Sequence, residues 1–247
     1  MTTPPRIALL TSITSIVSAV MLAFPASTHA ANIIWLGATG ITGDSDVSTT
    51  GTLVGAFNIG GPGVAPTTVN GVTFTGLALT GTSVTSGDFN LSIPTAFENS
   101  NAFGTGSAPF SGLSAPYQAL LSSGAGDETT SFTLTMSALG IGQAYQFQWW
   151  CNNSVLAANF TTTATAGTAV TLGSNPSATG GGLGQFATGI FVADAPTEVI
   201  TFSSTSSNVL DGFQLRVVPV PEPSTWAMLA IGGASILAFR RRSPRSA

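Results

Sequence analysis

Short runs in which apolar and polar residues alternate recur from Asn32 to about Val218, separated by Gly, Pro, Asn and Ser. This spacing of runs and turns is typical of an all-β sandwich. The chain has fifteen Phe, and most lie in these runs, where they can bury one face of a sheet. The pattern predicts an antiparallel sandwich rather than a disordered region. The predicted strands are Ile33 to Leu36, Leu53 to Asn58, Val72 to Leu77, Ser131 to Ser137, Ala144 to Cys151, Asn159 to Thr165, Gln185 to Ala193, Val199 to Ser203 and Gly212 to Val217.

Three local features complete this outline. Asn70-Gly71 predicts a two-residue hairpin turn, because both residues tolerate positive φ. One short helix is expected at Tyr117 to Leu121, and the glycine-rich stretch from Gly180 to Gly184 is expected to be a loop. A nucleotide site there is disfavoured, because no lysine follows and no helical period appears.

Charge is sparse and unevenly placed. The chain has six basic and ten acidic residues and no lysine, and Arg216 is the one basic residue between the terminal regions. Nine acids lie in the same middle part, which therefore has a formal charge of about -8. Nucleic acid is excluded as an expected partner, because phosphate neutralisation needs clustered Lys and Arg.

Two residue types limit the chemistry of the middle part. Its one cysteine, Cys151, cannot form an intrachain disulfide and is expected to be a buried thiol. The one histidine of the chain, His29, lies in the N-terminal region. A catalytic triad, a Cys-His pair and His-ligated metal sites are therefore excluded from the middle part, as is lysine chemistry.

The N-terminal region predicts a signal peptide of residues 1–30. Arg6 precedes an apolar stretch from Ile7 to Phe24, and Thr28 and Ala30 supply the small residues that a signal peptidase requires. Cleavage is expected after Ala30. An uncleaved membrane anchor is the alternative, favoured by the single arginine before the apolar stretch.

The C-terminal region, residues 220–247, combines three elements in order. They are Pro221-Glu222-Pro223, an apolar run from Trp226 to Phe239, and the triplet Arg240, Arg241 and Arg242. The prolines end any preceding helix, and arginines after an apolar run stop it on the cytoplasmic side. A membrane helix is predicted at about 224–239, followed by an arginine cluster at 240–245. The apolar run covers only about 21 Å of a bilayer core of roughly 30 Å, which favours a transient stop over a durable anchor.

This order of elements resembles the PEP-CTERM sorting domain. The resemblance implies that an exosortase in the envelope recognises Pro221, Glu222 and Pro223, which are substrate and not catalyst. It covers about the last 27 residues. With a signal peptide at the other end, it implies an exported protein of the cell envelope or extracellular surface, with signal peptidase, exosortase and, through the C-terminal helix, the membrane as partners.

The middle part, residues 31–219, is expected to form one domain. Residues 70–74, 142–146 and 191–194 make it similar to surface proteins that join a jelly-roll-like sandwich to such a tail. This resemblance implies a shape related to carbohydrate-binding modules and no activity. The expected fold is an all-β, jelly-roll-like antiparallel sandwich, flanked by a signal helix and a transmembrane helix.

The strand from Ala144 to Cys151 is the most informative stretch of this domain. Its odd-numbered positions form an apolar stripe that is expected to face the core. The opposite face mixes amides with an indole, which can stack on a sugar and bind its hydroxyls. Either this face is packed or solvated, or it contacts a glycan. The candidate glycan-contact residues are Gln146, Gln148, Trp150 and Asn152.

Acidic residues leave two further hypotheses open. Asp44 and Asp46 in a glycine-rich loop could hold calcium, a cation that prefers carboxylate and carbonyl oxygens, although a solvated loop is the favoured explanation. No other cofactor is expected. Two acids could also cleave a glycosidic bond, and spacing alone leaves five candidates. These are Asp127, Glu128, Asp194, Glu198 and Asp211.

Three functions therefore remain after the sequence analysis. The favoured one is a non-catalytic structural protein of the envelope or extracellular matrix. The alternatives are a module that binds extracellular polysaccharide and a carboxylate-based enzyme that cleaves it.

Overall fold

The computed structural model describes residues 32–93, 97–99, 102–127, 131–205 and 207–219. The predicted signal peptide, Pro-Glu-Pro motif, membrane helix and arginine cluster lie outside these residues. Within the described ranges, no helix has the length and apolar character needed to cross a bilayer.

Two large sheets pack face to face, which confirms the all-β sandwich. The first sheet has seven strands in the spatial order β1 (Ile34–Gly40), β13 (Gln185–Val192), β10 (Ala144–Cys151), β16 (Gly212–Val218), β2 (Thr52–Gly60), β4 (Val72–Ala78) and β3 (Thr67–Val69). The second has six in the order β12 (Thr168–Gly173), β11 (Thr161–Ala166), β14 (Glu198–Ser203), β9 (Phe132–Met136), β6 (Phe89–Ser92) and β5 (Ser83–Ser86). A small third sheet contains β15 (Asn208–Leu210), β8 (Gly124–Asp127) and β7 (Phe97–Asn99).

One strand pair departs from the antiparallel expectation. The strands β2 and β4 are parallel, with Phe57 opposite Thr75. Between them the chain forms β3, which reverses into β4 through the predicted turn, where Asn70 and Gly71 have φ of 48° and 74°. This extra reversal makes β4 run in the same direction as β2.

Aromatic side chains fill the space between the two large sheets. Phe213 on β16 lies 5.1 Å from Phe57 and 5.8 Å from Phe147, measured between ring centroids. Trp149 meets Phe202 of the second sheet edge to face at 5.1 Å. Aromatic pairs at such separations add to the stabilisation from area burial. This inner core is the main link between the two sheets.

Strand β10 supplies the inner core with the stripe that its alternation predicts. Tyr145, Phe147, Trp149 and Cys151 all belong to the buried cluster between the sheets. Cys151 is fully buried, as expected, and burial together with the nearby Asp211 raises the pKa of its thiol. The thiol is therefore kept in its unreactive protonated form.

A second apolar cluster lies on the opposite, outer face of the seven-stranded sheet. Three short helical elements lie over this face: the 3₁₀ turns Asp44–Asp46 and Phe110–Gly112 and the helix α1 (Ala115–Leu121), close to the predicted helix. Ser114 caps α1 by accepting a hydrogen bond from the Tyr117 backbone N–H. The buried members of this cluster are Ile41, Val47, Ala56, Val69, Val72, Phe74, Phe110, Leu113, Tyr117, Leu120, Leu121 and Trp150.

The two ends of the sandwich differ. At one end, which we call the exit end, β1, β2 and β10 begin and β13 and β16 finish. The outer cluster lies toward the opposite end, which we call the far end, where β10 finishes at Cys151. Near the exit end the outer face is less covered, and Ile34 and Val192 are 64% and 48% exposed.

Candidate functional site

The polar side chains on the outer face of β10 and β16 hold a loop of the same chain. This loop, residues 41–51, is called the cover loop below. Gln148 accepts a hydrogen bond from the Ser48 backbone N–H at 3.0 Å and donates one to the Asp46 carbonyl at 2.7 Å. Gln214 donates to the Ser48 carbonyl at 3.1 Å and to the side-chain oxygen of Gln148 at 2.7 Å. Because its main-chain groups are paired in this way, the loop can be buried against the sheet.

Arg216 continues the same row of polar side chains. Its guanidinium donates to the carbonyls of Thr49, Thr50 and Gly51 at 3.1, 2.8 and 2.9 Å. It also donates to the side-chain oxygen of Gln214. The single basic residue of the domain is only 7% exposed and binds main-chain oxygens, which is a structural role.

Asp46, Tyr117 and Trp150 form a hydrogen-bonded chain under the cover loop. The Trp150 indole N–H donates to the Tyr117 hydroxyl at 2.9 Å, and that hydroxyl donates to the Asp46 carboxylate at 3.1 Å. Burial and the nearby Asp46 carboxylate raise the pKa of Tyr117. The tyrosine therefore stays a hydrogen-bond donor and joins the helix, the sheet and the cover loop.

The candidate calcium residues, Asp44 and Asp46, use their carboxylates within the protein. Asp46 accepts from the backbone N–H groups of Thr42 and Gly43 at 2.7 and 3.0 Å and from the Thr42 hydroxyl at 2.6 Å. Asp44 accepts from the Ser114 hydroxyl at 2.6 Å. A cation at this place would compete with these donors. The described ranges contain no group of three or more acidic, His or Cys side chains suited to a metal ion.

The interpretation of the outer face of β10 as a glycan-contact surface is wrong for three of its four residues. Trp150 and Asn152 are completely buried and Gln148 is 1% exposed. Their alternation places them on the outer face as expected, but the cover loop and α1 enclose that face. Only Gln146, toward the exit end, is half-buried.

At the far end of β10, the Asn152 side chain forms hydrogen bonds with other segments of the chain. Its side-chain amide donates to the Leu121 carbonyl at the last turn of α1, at 3.0 Å. Its side-chain oxygen accepts from Ser154 at 3.1 Å and from the Gly184 backbone N–H at 2.9 Å. The amide chemistry expected to bind sugar hydroxyls instead fixes the end of a helix and the Gly180 to Gly184 loop.

Asp211, the residue between β15 and β16, has a buried carboxyl group. Asp211 is completely buried, and neither of its side-chain oxygens has a hydrogen-bond partner among the described residues. Burial raises the pKa of this carboxyl well above its usual range, and the nearby Asn152 backbone opposes the shift only in part. A carboxyl in such a place is more stable protonated.

The candidate acids for glycan cleavage do not form an exposed pair among the described side chains. Asp211 precedes Gly212, which lies opposite Trp150, whereas Asp194 and Glu198 follow β13 at the exit end. The intervening strand is eight residues long, about 26 Å, far more than the 5–9.5 Å that glycosidases use. Glu198 is also 1% exposed. The side chains of Asp127 and Glu128 lie outside the described residues.

A cleft opens where β2 separates from β4. It has a volume of about 380 Å³, and Thr73, Thr75 and Asp88 are among its lining residues. The aromatic residues beneath it, Phe57 and Phe89, are 6% and 4% exposed. This cleft has hydroxyl groups but no exposed aromatic face on which a sugar could stack.

Sequence reasoning missed Tyr117, Gln214 and Arg216, which bind the cover loop or its carboxylate. Gln214 and Arg216 alternate with Phe213 and Leu215 along β16, which indicates a polar outer face. A lone arginine in such a strand could have signalled a main-chain contact. For Tyr117 the sequence predicts only a helix, because nothing local indicates that this helix lies over Trp150.

The last strand before the C-terminal region occupies the middle of its sheet. β16 pairs with β10 on one side and β2 on the other. The Gln143 side chain donates to the Val218 carbonyl at 3.3 Å, which fixes the end of the strand. The chain leaves the sandwich at Pro219, two residues before the Pro-Glu-Pro motif.

We expect Tyr117→Phe to destabilise the domain by about 1–3 kcal/mol, because it leaves the Trp150 N–H buried without an acceptor and removes a donor to Asp46. Chemical denaturation of the exported protein measures this change. Tyr145→Phe is the matched control, because its hydroxyl accepts one hydrogen bond from the Gly140 backbone, and its cost should be smaller. An equal or larger loss in the control would contradict the assigned role of Tyr117.

The buried Asp211 should make stability depend on pH. An unfolded aspartate titrates near 3.8, and the folded-state pKa is higher. The folded state is therefore most stable, relative to the unfolded state, below about pH 4. This extra stability is lost as the pH rises through the folded-state pKa of Asp211. Free energies of unfolding measured from pH 4 to pH 8 should fall more steeply for the wild type than for Asp211→Asn. Each unit of pKa difference corresponds to about 1.4 kcal/mol.

The control for this pH series is Asp194→Asn, which changes an exposed aspartate. It should retain the wild-type pH dependence. If Asp211→Asn does the same, the buried carboxyl does not set the dependence.

One segment of the chain matches a known protein-family model. Residues 219–242 match the PEP-CTERM protein-sorting motif. No curated protein and no solved structure gave a significant match. The match begins directly after β16 and includes the predicted Pro221-Glu222-Pro223 element and the three arginines. The chain therefore carries a PEP-CTERM sorting motif, which supports its export toward the cell envelope and its sorting by an exosortase.

Proposed function

We propose that the chain is an exported structural protein of the cell envelope or extracellular matrix, without catalytic activity. In this proposal residues 1–30 are a signal peptide, residues 31–219 are the exported body, and residues 220–247 are the sorting tail. The observation that carries the proposal is the match of residues 219–242 to the sorting motif, which starts where the sandwich stops.

The tail is proposed to hold the precursor in the membrane for a limited time. The apolar run from Trp226 to Phe239 is short for a bilayer core, and Arg240 to Arg242 stop it on the cytoplasmic side. Arginine side chains that extend toward the headgroups make a short span easier to accommodate. Exosortase then acts at the Pro-Glu-Pro element.

A non-catalytic role is supported by how the sandwich uses its polar residues. Gln148, Gln214, Arg216 and Asn152 bind main-chain groups of the same chain. Side chains used in this way stabilise the fold and are not presented to a substrate. The sparse charge of the body also suits a packing role better than proton transfer, which needs accessible titratable groups.

Replacing Pro221 and Pro223 by Ala should prevent processing of the tail. Intact mass of the protein from cells and medium measures both terminal cuts. The wild type should lose residues 1–30 and the tail, whereas the variant should lose residues 1–30 only. Pro62→Ala, at an exposed turn, is the control and should be processed normally. A variant with the same tail cut as the wild type would contradict the role of the motif.

The structural role is tested by complementation. In a strain that lacks the protein, a Gln146→Ala, Asp194→Asn variant should restore the protein content and cohesion of the isolated matrix as well as the wild type does. These two residues are the accessible members of the described candidate glycan and acid sets. Loss of rescue by a variant that is exported and folded would favour ligand binding or catalysis instead.

A further inference from the structure

Several large apolar side chains are exposed toward the exit end, including Leu53 and Val54 at the start of β2, and three others lie close together around the end of β13. Ile34 at the start of β1 is 64% exposed, Ile141 in the turn before β10 is 69% exposed, and Val192 at the end of β13 is 48% exposed. Single exposed apolar residues need no explanation, but a contiguous group marks an interaction surface. We call these three residues the apolar rim.

The strand register shows that the apolar rim is contiguous. Ile34 lies opposite Ile190 on the neighbouring strand, so Val192 is its diagonal neighbour on the same face, about 7–8 Å away. The Gly142 backbone N–H donates to the Ala193 carbonyl at 2.7 Å. This bond places the turn that carries Ile141 beside the end of β13.

The apolar rim lies next to the point where the chain leaves the sandwich. Ala144 of β10 is opposite both Val192 and Val218. Gln143, two residues after Ile141, binds the Val218 carbonyl. The surface and the origin of the sorting tail are therefore at the same end of the molecule.

The sequence between the sandwich and the apolar run is short. Six residues, 220–225, separate Pro219 from Trp226, which makes seven steps from Cα to Cα, and an extended chain covers at most about 3.3–3.6 Å per step. The exit end therefore lies within roughly 25 Å of the start of the apolar run. If that run is in a bilayer, the tail keeps the exit end within this distance of the bilayer surface.

We infer that the apolar rim contacts the lipid interface while the tail is uncut, so that the sandwich rests on the membrane by its exit end. This inference rests on the proposed membrane insertion of the tail. In this inference the apolar rim contacts the headgroup region of zwitterionic lipids. Asp88 and Asp194 are the exposed charged residues of the described exit end, and no cation there would attract anionic headgroups.

Depth-dependent quenching tests this contact in the full-length precursor. The precursor is reconstituted in phosphatidylcholine vesicles containing a lipid with a nitroxide on its headgroup. A bimane label is placed at Ile141→Cys or, as the far-end control, at Leu156→Cys, where the native side chain is 44% exposed. Because Cys151 is completely buried, only the introduced cysteine is labelled. Flotation of the vesicles first reports whether the protein is bound.

We expect quenching at position 141 to exceed that at position 156 by at least about fivefold, since the headgroup region extends only about 5–8 Å beyond the acyl-chain core on each side. Ile34→Ser with Val192→Ser should reduce quenching at position 141 by at least about half. The matched far-end pair Val155→Ser, Leu156→Ser should leave it unchanged.

The outcomes separate this inference from the proposed function. Protein that floats with equal quenching at positions 141 and 156 would overturn the lipid contact and leave tail insertion intact. Protein that does not float would overturn tail insertion, and the lipid contact with it. Strong quenching at position 141 that survives both rim substitutions would show proximity without contact and would also overturn the inference.

Discussion

Main-chain groups of the cover loop must find hydrogen-bond partners before the loop can be buried against the sheet, and side chains of two central strands provide them. Gln148, Gln214 and Arg216 form one row across β10 and β16 and bind the loop from Asp46 to Gly51. Because these groups are paired, the loop encloses Trp150 without leaving buried polar atoms of its own in that row. The outer cluster and the docking of α1 depend on this arrangement.

Neutral hydrogen bonds and apolar burial provide most of the stability of this domain, since charged residues are few and mostly acidic. The one cation, Arg216, is bound by carbonyl oxygens, and the buried Asp211 lacks a hydrogen-bond partner in the described part of the chain. Surface ion pairs are weak contributors in any protein. The large contributions to stability are therefore the aromatic packing between the sheets and the loop contacts on the outer face.

Local alternation was sufficient to locate the longer strands and the face that each residue occupies. All nine predicted strands are present, and Tyr145 to Cys151 alternate between the two faces as expected. Most of the missed strands are short, such as β5 (Ser83–Ser86) and β15 (Asn208–Leu210), with too few residues for a period of two to be visible. The exception is β12 (Thr168–Gly173), which has six residues. The parallel pairing of β2 with β4 was also missed, because it follows from the order of reversals along the chain.

What covers a face depends on contacts between distant segments, and alternation contains no information about them. The sequence predicts two separate sites for Asp46 and Gln148, a cation loop and a sugar surface, yet the Gln148 amide donates to the main-chain carbonyl of Asp46, 102 positions away. Both residue types are suited to hydrogen bonding, but their partners are groups of the same chain and not a bound ligand. The sorting tail could be predicted because its signal is local, consisting of adjacent residues in a set order.

The position of β16 has a mechanical consequence. A tether attached beyond Val218 pulls along a strand that is hydrogen-bonded to a neighbour on each side. Tension along this axis shears two ladders at once, whereas an edge strand would peel away one bond at a time. A body held by its C-terminal segment would thus resist drag at the cell surface through the part of the sheet where rupture requires many bonds to break together.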